Sequence, residues 1–139
     1  MSLKSFFQKL FGKKKKRRDE PVRFNAPAHY QEMLATAFAQ AMAALEPRGY
    51  KHTIATPIKL RFEKGTRHVN GYWLNEDEYG TYIAKTAPSL VITLVTKPDG
   101  GPNPDERKTL RHECGHCILY SCGVDGAKHH AILQEARIF

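Results

Sequence analysis

The chain has 139 residues and a formal net charge of +8, which leaves room for one small domain with a tail. Its three cysteines, clustered at Cys114, Cys117 and Cys122, form no disulfide framework, and no segment approaches the ~20 apolar residues of a membrane span. We therefore expect a cytoplasmic protein that is neither secreted nor membrane-spanning.

The positive charge is concentrated in residues 1–18, which contain no acid, so the rest of the chain is neutral. The high pI therefore belongs to this tail and does not by itself indicate a nucleic-acid-binding domain. Apolar residues at helical spacing precede an unbroken basic run: Leu3, Phe6, Phe7, Leu10 and Phe11, then Lys13, Lys14, Lys15, Lys16, Arg17 and Arg18. We expect an amphipathic basic tail that binds an anionic membrane surface, where it makes the protein peripheral, or a partner protein; nucleic acid is an alternative.

Residues 19–25 are typical of a linker, so we expect the folded domain to cover residues 26–139. Its first element is a helix that Asn25 can cap and that runs to about Leu45. The apolar residues of this segment recur at helical spacing, which predicts one face packed on a core. Gly49 lies just beyond the expected end.

The middle of the chain predicts a small, mostly antiparallel sheet. Residues 57–63 alternate apolar and charged side chains, which is typical of a half-buried strand. Residues 68–74 and 80–86 are further strand candidates. Residues 89–96 leave no polar face, so we expect them to form a central strand.

The sequence predicts both ends of a second long helix. Asn103 is a capping residue, Pro104 suits the first helical position, and Glu106 follows three residues after the cap. The helix should run to Cys122 and end at Gly123.

This helix contains an H-E-x-x-H motif. His112 and His116 lie four residues apart, so a helix places both imidazoles on one face, where they can bind a common metal ion. Glu113 lies roughly 100° round the helix, beside that ion, which is where a general base for a metal-bound water is needed. Cys114 and Cys117 fall on the opposite face and are expected in the core.

The motif and the residues after it resemble the SprT-like zinc metalloproteases, which belong to the zincin group. The resemblance covers roughly residues 67–134 and rests on the pentad, Ile118-Leu119-Tyr120, the glycine turn at Gly123 and the position of His129. It implies an α+β, zincin-like fold with an N-terminal helix, a small sheet, an active-site helix and a short C-terminal helix. It also implies a Zn²⁺ cofactor held by His112, His116 and His129, with Glu113 as the base.

Other residues remain candidates for the third ligand. The family usually has Gly after the third histidine, whereas this chain has His130, which is an alternative ligand. Glu135 follows His116 at a spacing similar to the H-E-x-x-H-x18-E pattern of gluzincins, the second choice of family. Tyr120, one turn after His116, is a candidate for oxyanion support, with packing as the alternative.

We therefore expect a zinc metalloendopeptidase that hydrolyses a protein or peptide substrate through a zinc-activated water, with Glu113 as general base. One alternative is a non-catalytic, zincin-like structural or assembly protein attached to a membrane or a partner through its N-terminal helix. A second alternative is a DNA-associated protease tethered by the basic run.

Overall fold

The computed structural model of the chain describes residues 22–65, 70–75 and 89–139. The predicted tail and the strand candidate at residues 80–86 lie outside these ranges. The described elements, in chain order, are β1 (Phe24–Asn25), α1 (Ala28–Leu45), a 3-10 turn (Glu46–Arg48), β2 (Ile58–Lys64), β3 (Gly71–Asn75), β4 (Leu90–Thr96), α2 (Glu106–Ser121) and α3 (Gly126–Glu135). This is the expected α+β class, and the short C-terminal helix is present. None of the described helices combines the length and the apolar character needed to cross a bilayer.

The described strands form one sheet in the order β1-β2-β4-β3. β4 pairs on both of its edges and buries residues 90–95, which confirms the prediction of a central strand. β1 and β2 are parallel, β2 and β4 are parallel, and β3 is antiparallel to β4. Two of these three pairings are parallel, so the expectation of a mostly antiparallel sheet is wrong for the described strands. β2 and β4 are neighbours although β3 lies between them in the sequence.

α1 confirms the predicted helix but begins without the predicted cap. Asn25 lies in β1 opposite Lys59, so its side chain does not cap the helix, and Pro27 occupies the capping position. Phe24 and Asn25, which lie at the end of the predicted linker, pair with Ile58 and Lys59 of β2.

α1 and α2 pack against each other on one face of the sheet and share its core. Cys114 and Cys117 are completely buried in that core, as the helical pattern predicted. Ala37 and Ala41 are the small buried residues of α1. Small side chains on both helices allow their backbones to approach closely.

α2 begins two residues later than expected. Asn103 lies outside the helix, and its side-chain amide donates to the carbonyl of Val95 near the end of β4. The helix starts at Glu106 after Asp105, without a capping side-chain hydrogen bond. Gly123, with a φ of 84°, supplies the left-handed turn that ends this segment, as predicted.

α3 packs back across α2 at Gly115. A Cβ atom at Gly115 would lie 2.6 Å from Cδ2 of Leu133, so a larger residue fits there only if the Leu133 side chain moves. Asp125 caps α3 by accepting from the backbone N–H of Ala127. This crossing brings the histidines of α3 next to those of α2.

Candidate metal centre

Three histidines from two helices converge at the crossing of α2 and α3. Potential ligand nitrogens of His112, His116 and His130 all lie within 4.8 Å of one another. The Nε2 atoms of His112 and His116 are 3.1 Å apart. Two imidazole nitrogens on one tetrahedral zinc ion, each ~2.0–2.1 Å from it, lie roughly 3.3 Å apart. The helical spacing therefore produces a separation close to that of two zinc ligands.

The backbone determines the tautomer of His112. Its Nδ1 atom lies 3.1 Å from the carbonyl oxygen of Ile138, which can only accept a hydrogen bond. The proton of the neutral ring is therefore on Nδ1. The lone pair of Nε2 points toward His116.

A backbone carbonyl also determines the tautomer of His129, which contacts His116 on the side opposite to His112. Its Nε2 atom lies 3.0 Å from the carbonyl oxygen of Val124, so Nε2 carries the proton and Nδ1 has a lone pair. That Nδ1 atom is 2.9 Å from Nδ1 of His116. His116 therefore lies between two acceptors, Nε2 of His112 and Nδ1 of His129.

A neutral His116 carries only one proton, so it can donate to one of these two acceptors. The other N···N contact then brings two lone pairs together, which is repulsive unless a cation lies between them. His130 lies beside His112, with the two rings stacked at a centroid distance of 5.7 Å. His129 has no exposed surface, whereas the side chain of His130 is exposed. A cation therefore fits on the His112 side, where a third imidazole is available.

Burial favours the neutral forms of His112 and His116. Burial, with smaller contributions from the neighbouring His112, His129 and His130, lowers the pKa of His116 to about 3. Burial also lowers the pKa of His112, against the opposing effect of its hydrogen bond to Ile138. Neutral imidazoles are the form that binds metal ions, so the electrostatics of the cluster disfavour an added proton and leave lone pairs for a metal.

Glu113 adds a buried carboxylate to the same site. The residue is only 6% exposed, and its Oε2 atom has no hydrogen-bond partner. Burial raises the pKa of Glu113 to about 7. A buried carboxylate oxygen without a partner is costly, so this atom fits a role beside a bound cation and its water.

The cluster lies in a cleft of about 570 Å³. One wall comes from β3 and the residue before it, and the other walls come from α2, α3 and the end of the described chain. The lining residues are Asn70, Gly71, Tyr72, Trp73, Asp105, Lys108, Thr109, His112, Glu113, His116, Gly126, His129, His130 and Phe139. A volume of this size accommodates a short peptide segment or a small ligand.

Trp73 is a site residue that the sequence did not reveal. Its indole stacks on His116 at a centroid distance of 5.8 Å with an interplanar angle of 18°, and on His129 at 5.7 Å and 28°. The chain has a single tryptophan, and it lies in one of the strand candidates. That signal marked the residue as unusual, but it did not say which face of the sheet carries it.

The other predicted site residues lie in different surroundings. Tyr120 packs on Trp73 at 5.0 Å, and its hydroxyl accepts from the side-chain amide of Asn75 at 2.7 Å. It is not among the residues that line the cleft, which agrees with a packing role. The carboxylate of Glu135 lies 4.0 Å from the guanidinium of Arg48, with its side chain 77% exposed. Glu135 is therefore outside the cluster.

Comparison of the chain with protein-family models, with curated proteins and with solved structures found no match. The resemblance to SprT-like proteases stays a prediction that rests on the motif itself. The arrangement of the histidines and Glu113 therefore carries the functional argument.

Proposed function

We propose that the chain is a zinc-dependent metallopeptidase in which His112, His116 and His130 bind the metal and Glu113 is the general base. One observation carries the proposal: the Nε2 atoms of His112 and His116 lie 3.1 Å apart beside the unpartnered buried carboxylate of Glu113. These are the parts that metal-assisted hydrolysis requires.

The residues present fit a catalytic zinc site. Three imidazoles are a known ligand set for catalytic zinc, which keeps its fourth position open for water or substrate. Nδ1 of His112 is held by the Ile138 carbonyl, which leaves Nε2 for the metal. The cleft in front of the cluster supplies the access that a fourth ligand needs.

A bound zinc ion supplies a Lewis acid that polarises a carbonyl and lowers the pKa of water. Glu113 accepts the proton of the attacking water at Oε2 and delivers it to the leaving amide nitrogen. Its pKa near neutrality, a consequence of burial, allows it to take and to give that proton. Nδ1 of His112 faces the Ile138 carbonyl and Nδ1 of His116 faces His129, which leaves both Nε2 atoms for the metal.

β3 offers a surface for an extended substrate. It lies at the end of the described strand order, and Gly71, Tyr72 and Trp73 line the cleft. An extended peptide can pair with such a strand through backbone hydrogen bonds, which bind many sequences alike. The substrate class that fits best is therefore an unfolded or extended segment of a protein.

The test compares wild type with Glu113→Gln on fluorescently labelled casein, an unfolded substrate, using the full chain loaded with zinc. Gln keeps the size of Glu but cannot accept the proton, so we expect retained zinc and a cleavage rate lower by about 10²–10⁴-fold. Glu135→Gln is the matched control, since Glu135 is exposed and outside the cluster, and it should cleave like wild type. Wild-type cleavage by Glu113→Gln would refute the mechanism.

The same experiment distinguishes a peptidase from the non-catalytic alternative. A protein that binds zinc but leaves unfolded substrates intact has a structural or assembly role. The expected binding of the tail to a membrane, a partner or DNA concerns residues outside the described ranges and stays a prediction.

A further inference from the structure

We propose that His129 is a positioning residue that holds the proton of His116 on Nδ1 and so keeps the Nε2 lone pair of His116 available to the metal. This role rests on the metal site proposed above and deepens it. It assigns to His129 a different function from that of a direct ligand, and it explains why two adjacent histidines both lie at the site.

The hydrogen bonds of His129 form a continuous chain back to α2. The backbone N–H of Val124 donates to the carbonyl of Leu119 at 3.0 Å, which ties this turn to α2. The carbonyl of Val124 accepts from Nε2 of His129, and Nδ1 of His129 faces Nδ1 of His116 at 2.9 Å. The acceptor of His116 is thus fixed relative to the helix that carries His116.

Both nitrogens of His129 are used by these contacts, and the ring has no exposed surface. The three-histidine group with closely spaced ligand atoms contains His130 instead. Adjacent residues on a helix point about 100° apart. α3 can therefore direct His129 toward Nδ1 of His116 and His130 toward the proposed metal position.

Trp73 restricts the orientation of both rings. Its indole is nearly parallel to His116 and to His129, at interplanar angles of 18° and 28°. A flat neighbour against both imidazoles opposes their rotation out of the plane of the shared hydrogen bond. The geometry between the two Nδ1 atoms is therefore maintained by packing as well as by the bond.

Without an acceptor at His129, the proton of His116 has an alternative position. On Nε2 it would donate to Nε2 of His112, only 3.1 Å away, and both lone pairs needed by the metal would be occupied. His129 removes this competition because it accepts the proton on the other side of the ring. Partners of this kind typically change metal affinity by about 10–100-fold.

Two substitutions separate the hydrogen bond from the shape of the ring. His129→Phe keeps an aromatic ring against Trp73 but removes the acceptor, and His129→Asn keeps an acceptor oxygen close to the position of Nδ1. Zinc affinity of the full chain is measured by competition with a chromophoric chelator. We expect His129→Phe to bind zinc about 10–100-fold more weakly and His129→Asn to recover most of this loss. Wild-type affinity in His129→Phe, or equal losses in both variants, would overturn the proposal.

Nitrogen-15 NMR of the wild-type histidines gives a direct readout that does not depend on a variant that folds. We expect the zinc-loaded protein to show metal-bound nitrogens on His112, His116 and His130, with the His116 proton on Nδ1 and a coupling across the hydrogen bond to His129. A zinc-bound nitrogen on His129 would overturn the proposal. If wild type binds no zinc, the proposed function fails instead, and spectra of the metal-free protein still test whether a proton lies between the two Nδ1 atoms, as we expect.

Discussion

Gly115 lies inside the H-E-x-x-H motif at the point where α3 crosses α2, and Gly115→Ala tests whether that crossing builds the site. The added Cβ would lie 2.6 Å from Cδ2 of Leu133 and 3.7 Å from Cγ2 of Ile138. Leu133 is only 1% exposed, so its methyl group cannot move into solvent. The buried Leu133 side chain has to rearrange, and we expect α3, which carries it, to shift with it.

Two opposing effects determine the change in the free energy of unfolding. Overpacking a buried contact costs about 1–3 kcal/mol, and replacing Gly by Ala inside a helix gains up to ~1 kcal/mol. We therefore expect a net destabilisation of about 1 kcal/mol. The shift of α3 also moves His130 and the Ile138 carbonyl that holds His112, so we expect zinc affinity to fall on the order of tenfold.

Urea unfolding of the zinc-free protein gives the stability, and chelator competition gives the zinc affinity. Gly126→Ala is the matched control, because Gly126 is the first residue of α3 and an added Cβ there meets nothing within 4 Å. It should be as stable as wild type or more so. If Gly115→Ala were as stable as Gly126→Ala and bound zinc like wild type, the close packing of α2 and α3 would not be what positions His130.

Two further predictions concern the metal and the tyrosine beside the site. Removal of zinc with a chelator should lower the melting temperature of the wild type in calorimetry, because a ligand present at about 100 times its Kd adds ~2.7 kcal/mol to the free energy of unfolding. His112→Ala should show no zinc-dependent change in melting temperature. Tyr120→Phe should leave zinc affinity and cleavage unchanged and cost about 1 kcal/mol of stability in urea unfolding, because its hydroxyl is bonded to Asn75; slower cleavage by a folded, zinc-loaded variant would instead support a role in oxyanion stabilisation.

The order of apolar and polar residues correctly predicted the helices and strands whose formation depends on residues close together in the chain. The helical spacing of apolar residues located α1, and the continuous apolar run of β4 identified a central strand. The relation between His112, Glu113 and His116 also follows from helix geometry alone. These parts of the site required only a correct assignment of α2.

The direction of the strands and the third member of the histidine cluster depend on distant contacts. Alternation in β2 predicts a strand but not whether its neighbour is parallel. The choice between His129 and His130 depends on how α3 crosses α2, where Gly115 lies against Leu133. The two predicted N-terminal caps also lie outside their helices: Asn25 pairs with Lys59 in the sheet, and the side-chain amide of Asn103 donates to Val95 of β4.

Metal content after dialysis tests the central claim most directly. Wild type, His130→Ala, His129→Asn and Glu135→Ala are purified as the full chain, loaded with zinc, dialysed and measured by elemental analysis. We predict one zinc ion per chain in wild type and Glu135→Ala, zinc retained in His129→Asn, and loss of zinc in His130→Ala. A wild type without bound zinc, or zinc retained in His130→Ala, would contradict the proposed centre.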